Sequence, residues 1–136
     1  MPKPDRTGKT AFKVSDSNAL TIPASVNWVT AGNYVNAVKN QGQCGSCWAF
    51  ATTASMESAH AILQGTLFSL SEQQLVSCSS AYGNAGCGGG WYYWGWDYAA
   101  VTPIASEAAY PYKSGNFGIT GTCKYVSGSG LFYDLT

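Results

Sequence analysis

The chain has 136 residues, enough for one domain with a core of its own, and seven Lys plus Arg against seven Asp plus Glu leave no net charge. Charged residues make up 10%, well under the roughly 25% of ordinary soluble domains, so neither nucleic acid nor an anionic membrane is an expected partner. No stretch reaches the length of a transmembrane span, and Met1-Pro2-Lys3-Pro4-Asp5-Arg6 lacks the apolar region of a secretory signal. Five cysteines without such a signal suggest a piece of a longer protein; in an oxidising compartment they leave two bridges and one free thiol.

Residues 1–21 are polar and without hydrophobic periodicity, and they read as a tail or propeptide remnant, with the domain occupying 22–136. From Cys47 to Gln64 no glycine or proline interrupts an alanine-rich run that ends at Gly65, which predicts a helix over about 47–64. Its small residues Ala51, Ala54, Ser55, Ser58 and Ala59 suggest close-packed neighbours and a central, buried place. Ser71 followed by Gln74 predicts a capping box opening a short helix over 71–78. Trp91, Trp94, Tyr98 and Val101 recur at helical spacing and predict a third helix over about 90–100, with Tyr93, Trp94 and Trp96 divided between a core stripe and a ligand role. Thr102-Pro103, Tyr110-Pro111-Tyr112 and the Gly/Ser/Thr run over 114–122 are loop chemistry, and short strands are expected at 124–126 and 131–133.

The string Gln41-Gly42-Gln43-Cys44-Gly45-Ser46-Cys47-Trp48 puts one cysteine at the mouth of the first helix, behind a glycine-rich turn. Unpaired N–H groups at a helix N-terminus favour the thiolate, the form in which cysteine is a nucleophile. Cys-Gly-Ser-Cys-Trp is the local signature of the papain and cathepsin active-site cysteine. The chain thereby resembles the N-terminal half of a papain-like cysteine endopeptidase of the cathepsin L kind. Ile22-Pro23-Ala24-Ser25-Val26-Asn27-Trp28, Val38-Lys39-Asn40-Gln41-Gly42-Gln43, Ser69-Leu70-Ser71-Glu72-Gln73-Gln74-Leu75-Val76-Ser77-Cys78 and Tyr110-Pro111-Tyr112 carry the likeness further, over about 22–125. The sequence departs from the family pattern at Asn27, Ala51 and Gly88.

The resemblance implies the left domain of a two-domain α+β fold, here mainly α with short strands and long loops, stapled by Cys44–Cys87 and Cys78–Cys123; the residues alone leave three pairings of these four open. It implies Cys47 as nucleophile and Gln41 as donor to the oxyanion. Gly45, Ser46, Trp48, Gly89, Gly90, Trp91 and Tyr92 become substrate-binding positions, with the two glycines offering backbone to an extended peptide and the two aromatics lining its S2 pocket. No metal or cofactor is implied. In this family the catalytic histidine and asparagine lie roughly 130–150 residues past the cysteine, beyond about position 177, on a right domain that this chain is expected to lack. His60, the only histidine, sits 13 residues along the same helix, about 20 Å from Cys47 at about 1.5 Å per residue, and is expected to be structural or at the surface.

The expected activity is peptide-bond hydrolysis through a thiol acyl-enzyme in a lysosomal, vacuolar or secreted setting, with these 136 residues inactive alone. Expected partners are a peptide or protein substrate, a right domain or partner chain, and further copies through an exposed interdomain face. The alternatives are a non-catalytic binding or structural protein built on the same domain, and a redox protein using Cys44 and Cys47 as a reversible pair. A zinc site would need a second ligand pair at matching spacing, and Cys78 and Cys87 are too far apart in sequence to give one.

Overall fold

The computed structural model describes residues 23–124. The tail over 1–21 and nearly all of the strands expected at 124–126 and 131–133 lie outside that range. Three helices form the frame: α1 (Cys47–Gln64), α2 (Glu72–Cys78) and α3 (Tyr92–Ala99), joined by loops that include three short 3-10 turns. Among the described residues the only strand pairing is an isolated antiparallel bridge between Leu70 and Ser106.

Helix α1 ends where Gly65 takes a left-handed conformation and returns its N–H to the Ala61 carbonyl. One side of the helix, Trp48, Ala49, Thr52, Thr53, Met56, Glu57 and Ala61, is buried. The small residues Ala51, Ala54, Ser55 and Ala59 lie on the opposite, exposed side. This corrects the expectation of a central, buried helix: the core is made by the larger side chains, while the small face is exposed among the described residues, apart from half-buried Ser58 and the Trp96 Nε1–H donated to Ser55 Oγ at 3.0 Å. Its core partners are Leu70, Leu75, Val76, Tyr98 and Ile104.

Ser71 caps α2 through its hydroxyl, which accepts the Gln74 N–H at 3.0 Å. The reciprocal half of the expected capping box is missing, because the Ser71 N–H is taken by the Ala105 carbonyl. The Gln74 side chain is used elsewhere, donating to the Pro103 carbonyl and Tyr98 hydroxyl and accepting from the Ala105 N–H. Gln73 does the same for the loop beyond, accepting the Lys113 and Ser114 N–H groups. Buried amides that pair fully in this way stand in for a sheet, giving irregular backbone its hydrogen bonds.

Helix α3 begins at Tyr92, two residues later than its spacing predicts, and its buried positions are Gly95 and Tyr98. Of the three aromatics divided between core and ligand roles, Tyr93 and Trp94 are half-buried and Trp96 is exposed. Helices α1 and α3 meet at Gly95, where a Cβ would press into the Thr52 side chain. Thr52 holds the contact by donating to the Tyr92 carbonyl at 3.1 Å. Two disulfides, Cys44–Cys87 and Cys78–Cys123, staple the loops to this frame.

Candidate active site

Cys47 is the first residue of α1, exposed, and the one free cysteine among the described residues. Ser46 precedes it as N-cap without capping through its side chain, and no acidic residue sits in the first turn. The N–H groups of Ala49 and Phe50 close on the Ser46 carbonyl, while the Cys47 N–H, at the first helical position, has no partner within the helix.

The loop before Cys47 is held from several sides. Gln41 donates from Nε2 to the Cys44 carbonyl at 2.9 Å, and the second N–H of that amide has no partner among the described residues. Tyr112 reaches across from the Tyr110-Pro111-Tyr112 segment and donates its hydroxyl to the Gln41 carbonyl at 2.8 Å. The same oxygen lies 2.7 Å from Ser46 Oγ, and the Tyr112 ring packs edge-on against Phe50. Burial pushes the Tyr112 hydroxyl's pKa above its ordinary 10.0, while its bond to Ser46 works the other way.

Across from this loop stands the segment 86–92. It is bound to the nucleophile loop by Cys44–Cys87, by Gly45 N–H to the Cys87 carbonyl at 3.1 Å, and by Trp48 Nε1–H to the Gly86 carbonyl at 3.2 Å. Gly89 spends its carbonyl on Ala85 N–H, and Trp91 spends its N–H on the Asn84 side chain. Gly90 lies between them, and among the described residues neither its N–H nor its carbonyl has a partner. Beside it Trp91 and Tyr92 are 54% and 44% exposed, enough to offer aromatic faces to a ligand.

Ser46 and Trp48 have buried side chains. They are 0% and 3% exposed, and their polar atoms are spent on Tyr112 and Gly86. Their side chains thereby support the nucleophile loop. His60 donates from Nδ1 to the Thr66 carbonyl at 2.9 Å, and its ring packs on Phe68, far down α1 from Cys47.

Sequence reasoning missed the charged group behind the site. Lys39 Nζ bridges Glu57 at 2.9 Å and Glu72 at 2.6 Å, both carboxylates being almost wholly buried. Burial acts to lower the Lys39 pKa, but its hydrogen bonds to Glu72 and Glu57 outweigh that and raise it above 10.5. Glu57 also accepts from Asn36 Nδ2 and the Leu70 N–H, and Glu72 from Thr53 Oγ1. Close by, Glu107 accepts the Tyr112 N–H through Oε1, while its Oε2 is buried without a partner. Burial raises the Glu107 pKa to about 7; the Tyr112 N–H opposes the rise and Glu72 adds to it. The sequence signal was faint, since the four residues are spread from 39 to 107.

Beside Cys47 a groove of about 330 Å³ runs along α1 past Phe50, Ala54 and Ser58, walled by residues 35–39. A larger cavity of about 580 Å³ lies between α2 and the loops over 105–124, and none of the predicted site residues lines it. Among the described residues no set of three or more His, Cys, Asp or Glu is placed to hold a metal ion, and no helix is long and apolar enough to cross a membrane.

Residues 22–132 match the family model described as "Papain family cysteine protease". Digestive cysteine proteinase 2 of Homarus americanus is 51% identical over 105 residues, 76% of this chain and 31% of that protein. A cathepsin L-like proteinase of Phaedon cochleariae is 42% identical over 125 residues, 92% of this chain and 37% of that one. Among solved structures, digestive procathepsin L 3 from the larval midgut of Tenebrio molitor superposes with a TM-score of 0.74 at 44% identity, covering 88% of this chain and 36% of that one. The chain thus spans about a third of the length of the curated relatives it matches.

Proposed function

The chain belongs to the papain family of cysteine proteases, and we propose that its residues 22–136 are the nucleophile-bearing left domain of a thiol endopeptidase. The observation that carries this reading is the pairing of an exposed thiol at a helix mouth with an unengaged backbone edge at Gly90, locked together through Cys44–Cys87. An extended peptide lies along Gly89 and Gly90, pairs with the free groups of Gly90, and sets a side chain against Trp91 and Tyr92. Gly45 lines the floor beneath the bond to be cut. The Cys47 sulfur attacks the peptide carbonyl, and the oxygen that becomes negative is met by the Cys47 N–H and the free N–H of Gln41. Collapse expels the amine, which takes a proton from the general acid, and water then cleaves the thioester to return the thiol.

The proton carrier for these steps comes from outside the 136 residues, on a right domain or a partner chain. His60 is the only histidine present, and its ring is occupied at Thr66 and Phe68. The bare face of α1 and the groove beside Cys47 are the surface on which such a domain packs. The disulfides point to an oxidising compartment, lysosomal, vacuolar or secreted. A second reading, a non-catalytic binding or structural protein, rests on the same bare face, which would then hold a partner or another copy; a monomer at high concentration counts against it.

The test is labelling and turnover with the 136-residue chain. A peptidyl chloromethyl ketone is expected to modify Cys47 and to leave Cys47→Ser unmodified, while peptide substrates are not hydrolysed. No adduct on Cys47 would remove the nucleophile reading. Peptide turnover that Cys47→Ser abolishes would overturn the external base.

A further inference from the structure

The Gly90 edge owes its shape to one buried side chain that touches neither Cys47 nor a substrate. Asn84 is 3% exposed. Its Oδ1 accepts the Trp91 N–H at 2.9 Å and its Nδ2 donates to Ser79 Oγ at 3.0 Å. Ser79 passes the connection to the end of α2 by donating to the Leu75 carbonyl at 2.7 Å. A single amide therefore spans from the last turn of α2 to the first of α3, with an acceptor at one end and a donor at the other.

Gly90 rests directly on this amide. A Cβ at position 90 would press on Asn84 Oδ1 and on the Trp48 ring. The backbone there lies close against Asn84, and its N–H and carbonyl have no partner among the described residues. The Trp91 N–H is the competitor in this arrangement. Without Oδ1 this part-buried donor loses its partner among the described residues, and the backbone of 90–91 turns to satisfy it at the expense of the edge.

We propose that Asn84 is a positioning residue for peptide recognition, holding the Gly90–Trp91 backbone so that Gly90 presents both of its hydrogen-bonding groups to an extended peptide. The proposal rests on the reading of Gly89–Gly90 as the substrate edge. It explains why a buried asparagine is used in an otherwise exposed turn: aspartate has no donor for Ser79, and an apolar residue answers neither end.

The experiment compares two alkylations of Cys47 in the 136-residue chain, one by a tripeptidyl chloromethyl ketone and one by chloroacetone, which carries the same electrophile without a peptide. Their rate ratio reports peptide recognition separately from thiol reactivity. Loss of one buried hydrogen bond corresponds to about a fivefold to tenfold change, so Asn84→Ala is expected to lower the ratio by about that factor. The chloroacetone rate should stay as in the wild type. Asn84→Asp keeps the acceptor for Trp91 and is expected to restore most of the ratio. In parallel the Trp91 amide, slow to exchange in the wild type, should exchange faster in Asn84→Ala. Should Asn84→Ala not fold, Asn84→Ser, which is too short to reach Trp91, carries the same expectation. A wild-type ratio near one removes the edge-binding reading and the role of Asn84 with it. A high wild-type ratio that folded Asn84→Ala or Asn84→Ser leaves unchanged overturns the role of Asn84 alone.

Discussion

Glu107 ties acid strength to stability. Its Oε1 holds the Tyr112 N–H, its Oε2 is buried and unpaired, and its pKa stands at about 7 against an ordinary 4.5. Between those values the folded chain keeps a proton that the unfolded chain has lost. Stability from this group is therefore full below about pH 4.5 and is lost as pH rises through about 7. Partial exposure of the side chain screens the effect to an order of ~1–2 kcal/mol. Glu107→Gln keeps the acceptor for Tyr112 and removes the titration. Urea unfolding between pH 5 and 7.5 is expected to show stability of the wild type falling relative to this variant; parallel curves would refute the assignment. Tyr112 in turn bonds Gln41 and borders Ser46, so the same buried carboxyl underlies the loop that carries Cys47. Cys47 and Gln41 could be picked out in the sequence because their motif is contiguous. Glu107, Tyr112 and Asn84 could not, since what they do depends on partners brought together only by folding.

At the scale of elements, the contact of α1 with α3 sets the separation between the nucleophile helix and the aromatic wall. Gly95 faces Thr52 with no space for a Cβ. On helix propensity alone Gly95→Ala would gain ~1 kcal/mol, while overpacking a tight contact costs ~1–3 kcal/mol. The second effect wins, because Thr52 is fully buried and fixed by bonds to the Trp48 and Tyr92 carbonyls. Gly95→Ala is expected to lower Tm by several degrees. Thr52→Ala should soften that loss, so that the double variant costs less than the sum of the singles; strict additivity would rule the contact out as the cause. The ends of the helices were legible from Gly65 and Ser71, since a left-handed C′ residue and an N-cap hydroxyl are local chemistry. Their faces were not. In α1 small and large residues alternate around the axis, so composition suggested burial where the structure leaves Ala51, Ala54 and Ala59 exposed. In α3 an almost unbroken aromatic run hid the glycine that makes the contact.

Across the described residues as a whole, two disulfides close long loops where no sheet is formed, and the two closures have different tasks. Cys44–Cys87 and Cys78–Cys123 span 43 and 45 residues, so on chain entropy each contributes about 4 kcal/mol. Total stabilities of domains are roughly 5–15 kcal/mol, and reduction of both bridges is expected to abolish cooperative unfolding. Singly, the two should separate. Cys78–Cys123 ties the end of α2 to the last described loop, away from the thiol, whereas Cys44–Cys87 joins the nucleophile loop to the segment that leads into Gly90. Replacing Cys78 and Cys123 together by serine should lower the urea midpoint while leaving the ratio of peptidyl to plain alkylation of Cys47 intact. Replacing Cys44 and Cys87 together should lower both, because Gly45 N–H to Cys87 and Trp48 to Gly86 then hold the two walls by hydrogen bonds alone. Equal effects of the two replacements on the ratio would mean that the walls are aligned by the core. Their alignment would then survive without the bridge, and Cys44–Cys87 would be a staple like the other.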